Sequence, residues 1–201
     1  VSKVDFSKRP FGVWIGDEKY TADTVIVSTG AKPLMLGLDA EWKLMGRGVS
    51  ACATCDGFFF RGKDIAVVGG GDTAMEEAIF LTNFAASVTV IHRRDTLRAS
   101  KVMQDRAMSN PKIKFIWNTQ VVGLEGEQKL AALNLKDTVT GATSTKEFDG
   151  LFIAIGHQPN SELFVGQLDM HPNGYLKTTG VSTSVPGVYA GFIHGFFLGY
   201  A

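Results

Sequence analysis

Two cysteines stand three positions apart in Cys52-Ala53-Thr54-Cys55, with Asp56-Gly57 directly behind them. That spacing suits three kinds of chemistry. A zinc site needs four ligands, and the histidines at 92, 157, 171 and 194 show no paired spacing that would complete one. A structural disulfide is possible, but loop closure restrains the unfolded chain least when the loop is this short. In a redox pair, one thiolate attacks a substrate disulfide and the second resolves the mixed disulfide. The redox use fits best. Asp56 could then exchange the protons released as the dithiol cycles; its plainer use is in a turn or helix cap.

A second constellation follows. Gly69-x-Gly71-x-x-Ala74 lies between an apolar run, Asp64-Ile65-Ala66-Val67-Val68, and a stretch of helical composition from Asp72 to Thr82. In that context the glycines read as a dinucleotide fingerprint. The first allows a tight turn, the second lets a pyrophosphate approach the backbone, and the small third residue lets helix and strand pack closely. The helix N-terminus then directs free N–H groups at the phosphates. A glycine turn without ligand is the alternative. Ser87 to His92 reads as the next strand, which completes one βαβ unit.

The end of that strand discriminates between nucleotides. An acidic residue there would bond a ribose 2′-hydroxyl. This chain has His92-Arg93-Arg94, followed by Arg98. Lys and Arg at 93, 94, 98, 101, 106, 112 and 114 outnumber Asp95 and Asp105 between positions 92 and 114. Guanidinium forks bind a phosphate bidentately, so NADPH is favoured over NADH. A solvated basic face is the plainer reading of the same residues. NADPH delivers hydride, whereas a disulfide is reduced by thiol chemistry, and flavin is the usual coupler between them.

The elements that must position these groups are legible as local patterns. Gly12–Asp17 reads as strand and hairpin turn, and Thr24–Gly30 as a buried strand ending at glycine. Residues 1–33 are too few to close a core. In the helix after the fingerprint, Ala74, Ala78 and Leu81 share one side, leaving Glu76 and Glu77 for solvent. A helix over Ser100–Met108 stops at Asn110-Pro111, and Ile113–Trp117 forms a third strand. Residues 121–148, with turns at Glu125-Gly126 and Thr140-Gly141, suggest an antiparallel meander. Leu151–Gly156 is another buried strand ending at glycine.

Composition sets the bounds. In 201 residues, 20 basic and 20 acidic side chains balance, which gives no reason to propose nucleic acid as partner. An apolar share of 45% supports a sizeable core. No signal peptide is visible behind Val1, and the chain reads as a fragment. From Gly180 to the end no residue is charged, and glycines at 187, 191, 195 and 199 give a GxxxG-like spacing. Pro186 leaves too few residues for a membrane span, so no membrane anchor is expected. A reactive C-x-x-C suits a reducing compartment, here the cytoplasm.

Five stretches occur in a telling order: Gly48–Phe59 around the cysteines, the glycine fingerprint with Thr73-Ala74-Met75-Glu76-Glu77-Ala78, His92-Arg93-Arg94-Asp95, Leu97-Arg98-Ala99-Ser100, and Ala154-Ile155-Gly156-His157-Gln158-Pro159-Asn160. Together, over roughly residues 10–189, they resemble the low-molecular-weight NADPH-dependent thioredoxin reductases. The resemblance implies an α/β fold. A doubly wound, Rossmann-like NADPH domain with a β-meander would be flanked by partial segments of a FAD-binding domain. Residues 1–33 would end the first FAD segment, 34–157 form the NADPH domain carrying the C-x-x-C, and 158–201 begin the returning FAD segment, with a divergent tail. It implies hydride passing from NADPH through FAD to a Cys52–Cys55 disulfide and on to thioredoxin, in a homodimer whose domains rotate against each other.

Carried over by motif, Gly69, Gly71, Asp72, Thr73, Ala74, His92, Arg93, Arg94, Arg98 and Gly156 would serve NADPH, and Thr29 and Gly30 would lie beside FAD. Cys55 matches the cysteine nearer the flavin, Cys52 the one that attacks thioredoxin, and Asp56 the proton donor. No metal is implied. Two departures bear on FAD. The family's first glycine fingerprint is missing upstream, and Gly191-Phe192-Ile193-His194 stands where a Gly-Asp motif would bind FAD. Truncation at both ends is therefore expected. A catalytically inactive NADPH-binding fragment is the alternative function, and a related flavin disulfide reductase with another acceptor is a third.

Overall fold

Short strands and glycine turns build the first part of the chain. β1 (Lys3–Asp5), β2 (Phe11–Ile15) and β3 (Glu18–Ala22) form an antiparallel meander, with the β2–β3 hairpin turning at Gly16. β4 (Val25–Val27) and β5 (Ala31–Pro33) follow. The computed structural model describes residues 1–191. The chain divides into two units: Val1–Lys32 with the segment from His157 onward, and Pro33–Gly156.

The second unit is a three-layer sandwich. Its elements are α1 (Ala40–Leu44), β6 (Val49–Ser50), α2 (Ala53–Asp56), β7 (Asp64–Val68), α3 (Asp72–Leu81), β8 (Ser87–Ile91), α4 (Lys101–Met108), β9 (Ile113–Ile116), β10 (Thr119–Glu125), β11 (Ala132–Asp137), β12 (Thr143–Glu147) and β13 (Gly150–Ile153). Five parallel strands lie in the order β6-β13-β7-β8-β9. Such a sheet is covered on both faces, which is why β7 and β8 read as nearly unbroken apolar runs. Alternate residues serve opposite layers. Ile65 and Val67 face the helices, packing with Ala74, Met75, Ala78 and Leu81 of α3. Ala66 and Val68 face the antiparallel meander β10-β11-β12, packing with Val121, Leu133 and Leu135.

In the first unit β14 (His157–Pro159) pairs with β5, and β15 (Val188–Ala190) runs parallel to β4. Phe6, Phe11 and Val27 share a core with Phe164, Leu168, Leu176 and Val188, so residues distant in sequence supply what residues 1–33 lack. One expectation is corrected here. The run Thr24–Gly30 is not a strand buried throughout: β4 spans three residues, with Val27 buried and Ile26 71% exposed. Only one face of β4 packs on that core. The reading of a Gly-Asp replacement after Gly191, and most of the GxxxG-like tail, fall outside the described residues. Among the described residues, no helix is long and apolar enough to cross a membrane.

Candidate functional site

The glycine turn after β7 is dictated by close packing. A Cβ at position 69 would collide with the carbonyl oxygen of Ala154 and lie 2.6 Å from the Ala74 Cβ. Helix and strand can therefore meet only if residue 69 is glycine and residue 74 is small. Gly70 lies against the imidazole of His92, where a Cβ would overlap the ring. At Gly71 a Cβ would meet nothing within 4 Å. The open side of the turn is at Gly71, the N-cap of α3, where no side chain caps the helix. Unsatisfied N–H groups and the positive end of a ten-residue helix are thus presented to that space.

A cavity of about 560 Å³ opens there. Gly69, Gly71, Thr73, His92, Arg93, Arg98 and Gly156 line it. Ala74 is buried beneath the turn, and Arg94 and Asp72 are not part of the lining. The Asp72 carboxylate instead accepts bonds from the Ser100 N–H and hydroxyl, both 2.8 Å, tying the start of α3 to the start of α4. His92 is buried, with Nε2 3.0 Å from the Thr96 carbonyl oxygen. Burial lowers its pKa below the ordinary imidazole value, and Arg98 and Arg93 add to that. Hydrogen bonding with Thr96 and Gly69 opposes it. The ring is therefore neutral at pH 7, and the positive charge lining the cavity comes from Arg93 and Arg98.

Part of the wall had no sequence signal. Met35, Leu36, Thr119, Gln120 and Val121 complete the cavity from two distant segments. Met35-Leu36 is held by Glu41, which is 1% exposed. The Glu41 carboxylate accepts the N–H groups of Leu36 at 2.8 Å, Gly37 at 2.9 Å and Leu38 at 3.1 Å.

Cys52 and Cys55 form a disulfide with Cα atoms 5.3 Å apart. The pair follows β6, whose buried Ser50 accepts the Cys52 N–H at 3.0 Å. The Cys55 N–H lies 3.3 Å from Cys52 Sγ. Cys52 is half-buried and Cys55 is exposed. Asp56, half-buried, closes α2. Ala53 packs on α3, and a Cβ at Gly57 would lie 2.9 Å from Leu81. The short helix is thereby seated on α3. Phe58 and Phe59 are exposed beside the disulfide, with the Arg61 guanidinium 5.2 Å from the Phe58 ring centre.

Disulfide and glycine turn stand at the same carboxyl edge of the parallel sheet, after β6 and β7, with β13 between. That edge is where open α/β sheets bind ligands. Thr29 and Gly30 belong to the other unit. There the Thr29 hydroxyl donates to the Asn160 carbonyl, Asn160 Nδ2 donates to the Thr29 carbonyl at 3.0 Å, and the Asn160 N–H donates to the Gly30 carbonyl at 2.9 Å. Among the described residues no group of three or more His, Cys, Asp or Glu side chains could hold a metal ion.

The family model for pyridine nucleotide-disulphide oxidoreductases matches residues 1–191. The chain belongs to that family. A thioredoxin reductase of Streptomyces clavuligerus is 60% identical over 173 residues, covering 85% of this chain and 54% of the relative. One from Streptomyces coelicolor is 60% identical over 164 residues, covering 82% and 51%. The crystal structure of thioredoxin reductase from Streptococcus pyogenes superimposes with a TM-score of 0.82 at 42% identity, over 96% of this chain and 64% of that one. The chain spans about half the length of the curated relatives it matches. Membership of this oxidoreductase family implies flavin and NAD(P) use.

Glu77 departs from the sequence reading. Glu76 is exposed, but Glu77 is half-buried and its Oε2 is shut off from solvent. The signal was present: position 77 is three after Ala74 and four before Leu81, on the flank of the buried stripe.

Proposed function

We propose that this chain carries the nucleotide-binding and disulfide-bearing part of a thioredoxin-disulfide reductase that uses NADPH. The observation that carries the reading is the placement of a C-x-x-C disulfide and an arginine-lined glycine pocket along one sheet edge. The relatives named above support the acceptor assignment.

The residues present fit a nucleotide. The vacant side of Gly71 admits a pyrophosphate to the α3 N-terminus, and Arg93 and Arg98 offer guanidinium groups for a 2′-phosphate. Gly69 and Ala74 hold helix against strand, His92 supports the turn from below, and Thr73 and Gly156 complete the cavity. Asp72 acts at one remove, through its bonds to Ser100, and Arg94 lies outside the lining. FAD, when bound, couples hydride chemistry to thiol chemistry. In this reading Thr29 and Gly30 lie beside it, in a backbone fixed by Asn160.

Reduction of the disulfide leaves a thiol and a thiolate, and Asp56 at the end of α2 exchanges the protons. The opening attack on thioredoxin falls to Cys52, as the resemblance implies, and Cys55 is the sulfur nearer the flavin. Cys55 then breaks the mixed disulfide and restores the bond to Cys52. Phe58 and Phe59 give a protein substrate an apolar contact beside the sulfurs.

The test is a thiol count. With NADPH under anaerobic conditions, the protein in its FAD-loaded form shows the two cysteine thiols and then reduces added thioredoxin. A disulfide that stays closed under these conditions, yet opens with dithiothreitol, refutes the NADPH route.

A further inference from the structure

Glu77 has no part in the chemistry above, yet its surroundings are unusual. It stands on the helix against which α2 packs, and α2 begins at Ala53, the residue directly after Cys52. Oε2 is buried with no hydrogen-bond partner. Ala53 is itself buried against Ala74, Met75 and Ala78 of α3. Burial pushes the Glu77 pKa up to about 7; the Ala53 N–H works against this and the charge of Glu76 adds to it. A buried acceptor without a partner costs stability and calls for an explanation.

We propose that Glu77 is a positioning residue for the Cys52–Cys55 couple, taking up a proton when the disulfide beside it is reduced. Two electrons break the S–S bond. One proton goes to one sulfur, and the other sulfur remains a thiolate. A second proton, from solvent, settles on Glu77, so the pair and the carboxyl together keep the same net charge. An ionised Glu77 opposes the new negative charge on sulfur, and a protonated one does not. The other charged groups on the elements packed around α3 are Asp56 on α2, Asp64 on β7, Lys101, Asp105 and Arg106 on α4, and Asp72 and Glu76 on α3 itself. Asp56 and Asp72 are half-buried and the rest are exposed.

The test equilibrates the 201-residue chain with glutathione redox buffers and counts free thiols, for the wild type and Glu77→Gln. With a coupling of about one pKa unit, the variant is easier to reduce by roughly fivefold or more at pH 8.5 and agrees within about 1.5-fold at pH 6. A tenfold change corresponds to about 30 mV for this two-electron couple. An equal shift at both pH values, or none, overturns the proposal. If the variant does not fold, the wild type still decides. Carboxyl-carbon NMR must show one glutamate titrating at higher pH in the dithiol form than in the disulfide form, and an unchanged midpoint overturns the idea. The proposal rests on the redox reading of the pair. A disulfide that thiols cannot open defeats that reading, whereas opening with the same pH dependence in both proteins defeats only the role of Glu77.

Discussion

Discrimination between NADPH and NADH gives the sharpest test of the nucleotide pocket. The perturbation is Arg93→Ala and Arg98→Ala, singly and together, with Arg94→Ala as the control. Arg93 and Arg98 line the cavity and Arg94 does not. His92 is neutral there, so each substitution removes one of the two positive charges in the lining. A hydrogen bond to a charged group is worth about 1.5–3 kcal/mol, and exposure of both arginines selects the lower end. About 1.5 kcal/mol is roughly a tenfold loss in affinity. The double variant should lose roughly thirty- to hundredfold for NADPH, since neighbouring contributions do not add fully. NADH binding should change by about twofold or less, because it lacks the phosphate. Calorimetric titration of the chain with each nucleotide at low salt measures both constants, and needs neither flavin nor thioredoxin. Equal losses for the two nucleotides would falsify the 2′-phosphate assignment. A larger effect at Arg94 than at Arg93 and Arg98 would show the pocket to be wrongly drawn.

Other perturbations test separate parts of the site. With Cys52 as the attacking sulfur, Cys55→Ser, which leaves Cys52 free, should trap a mixed disulfide with thioredoxin, visible on non-reducing gels, whereas Cys52→Ser should trap little; the reverse pattern moves the attack to Cys55. Glu41→Ala leaves three N–H groups unpartnered and should cost about 2–4 kcal/mol in urea unfolding, and it should weaken nucleotide binding as the Met35-Leu36 wall loosens. An unchanged midpoint and affinity would contradict that role. Gly69→Ala forces a methyl group into the Ala154 carbonyl and should destabilise by about 1–3 kcal/mol, while Gly71→Ala should fold normally and lose nucleotide affinity. Normal stability in Gly69→Ala would show that the strand–helix contact is looser than described. His92 has a lowered pKa in the folded chain, so its contribution is present above the unfolded value near 6.5 and is lost as pH falls through the lower folded value. Melting temperature should therefore drop between about pH 7 and 5 and drop less in His92→Gln; parallel curves would remove His92 as the cause.

The βαβ unit was readable because every cue for it is local. β7, α3 and β8 occupy Asp64–Val68, Asp72–Leu81 and Ser87–Ile91, within a residue of the runs of apolar periodicity that announce them. The three-stranded meander and the strand at Gly150–Ile153 were equally visible, since alternation and glycine turns mark them within a few residues. Glu77 was misread although its place on the flank of the buried stripe was legible. A helix in isolation shows which side is apolar, but not that Ala53 of another element will lean on the flank of that side.

By itself the sequence determined the chemistry available: a vicinal pair of sulfurs, a turn that only glycine can make, and guanidinium groups just past the next strand. It could do so because those facts depend on residue type and on spacings of a few residues. Tertiary structure alone decided which arginines face the cavity, how Met35 and Thr119 come to share a wall, and how Phe6 finds Phe164 to make a core. Each of those depends on which distant segments exclude water together, and burial between segments far apart in the chain has no periodicity to read.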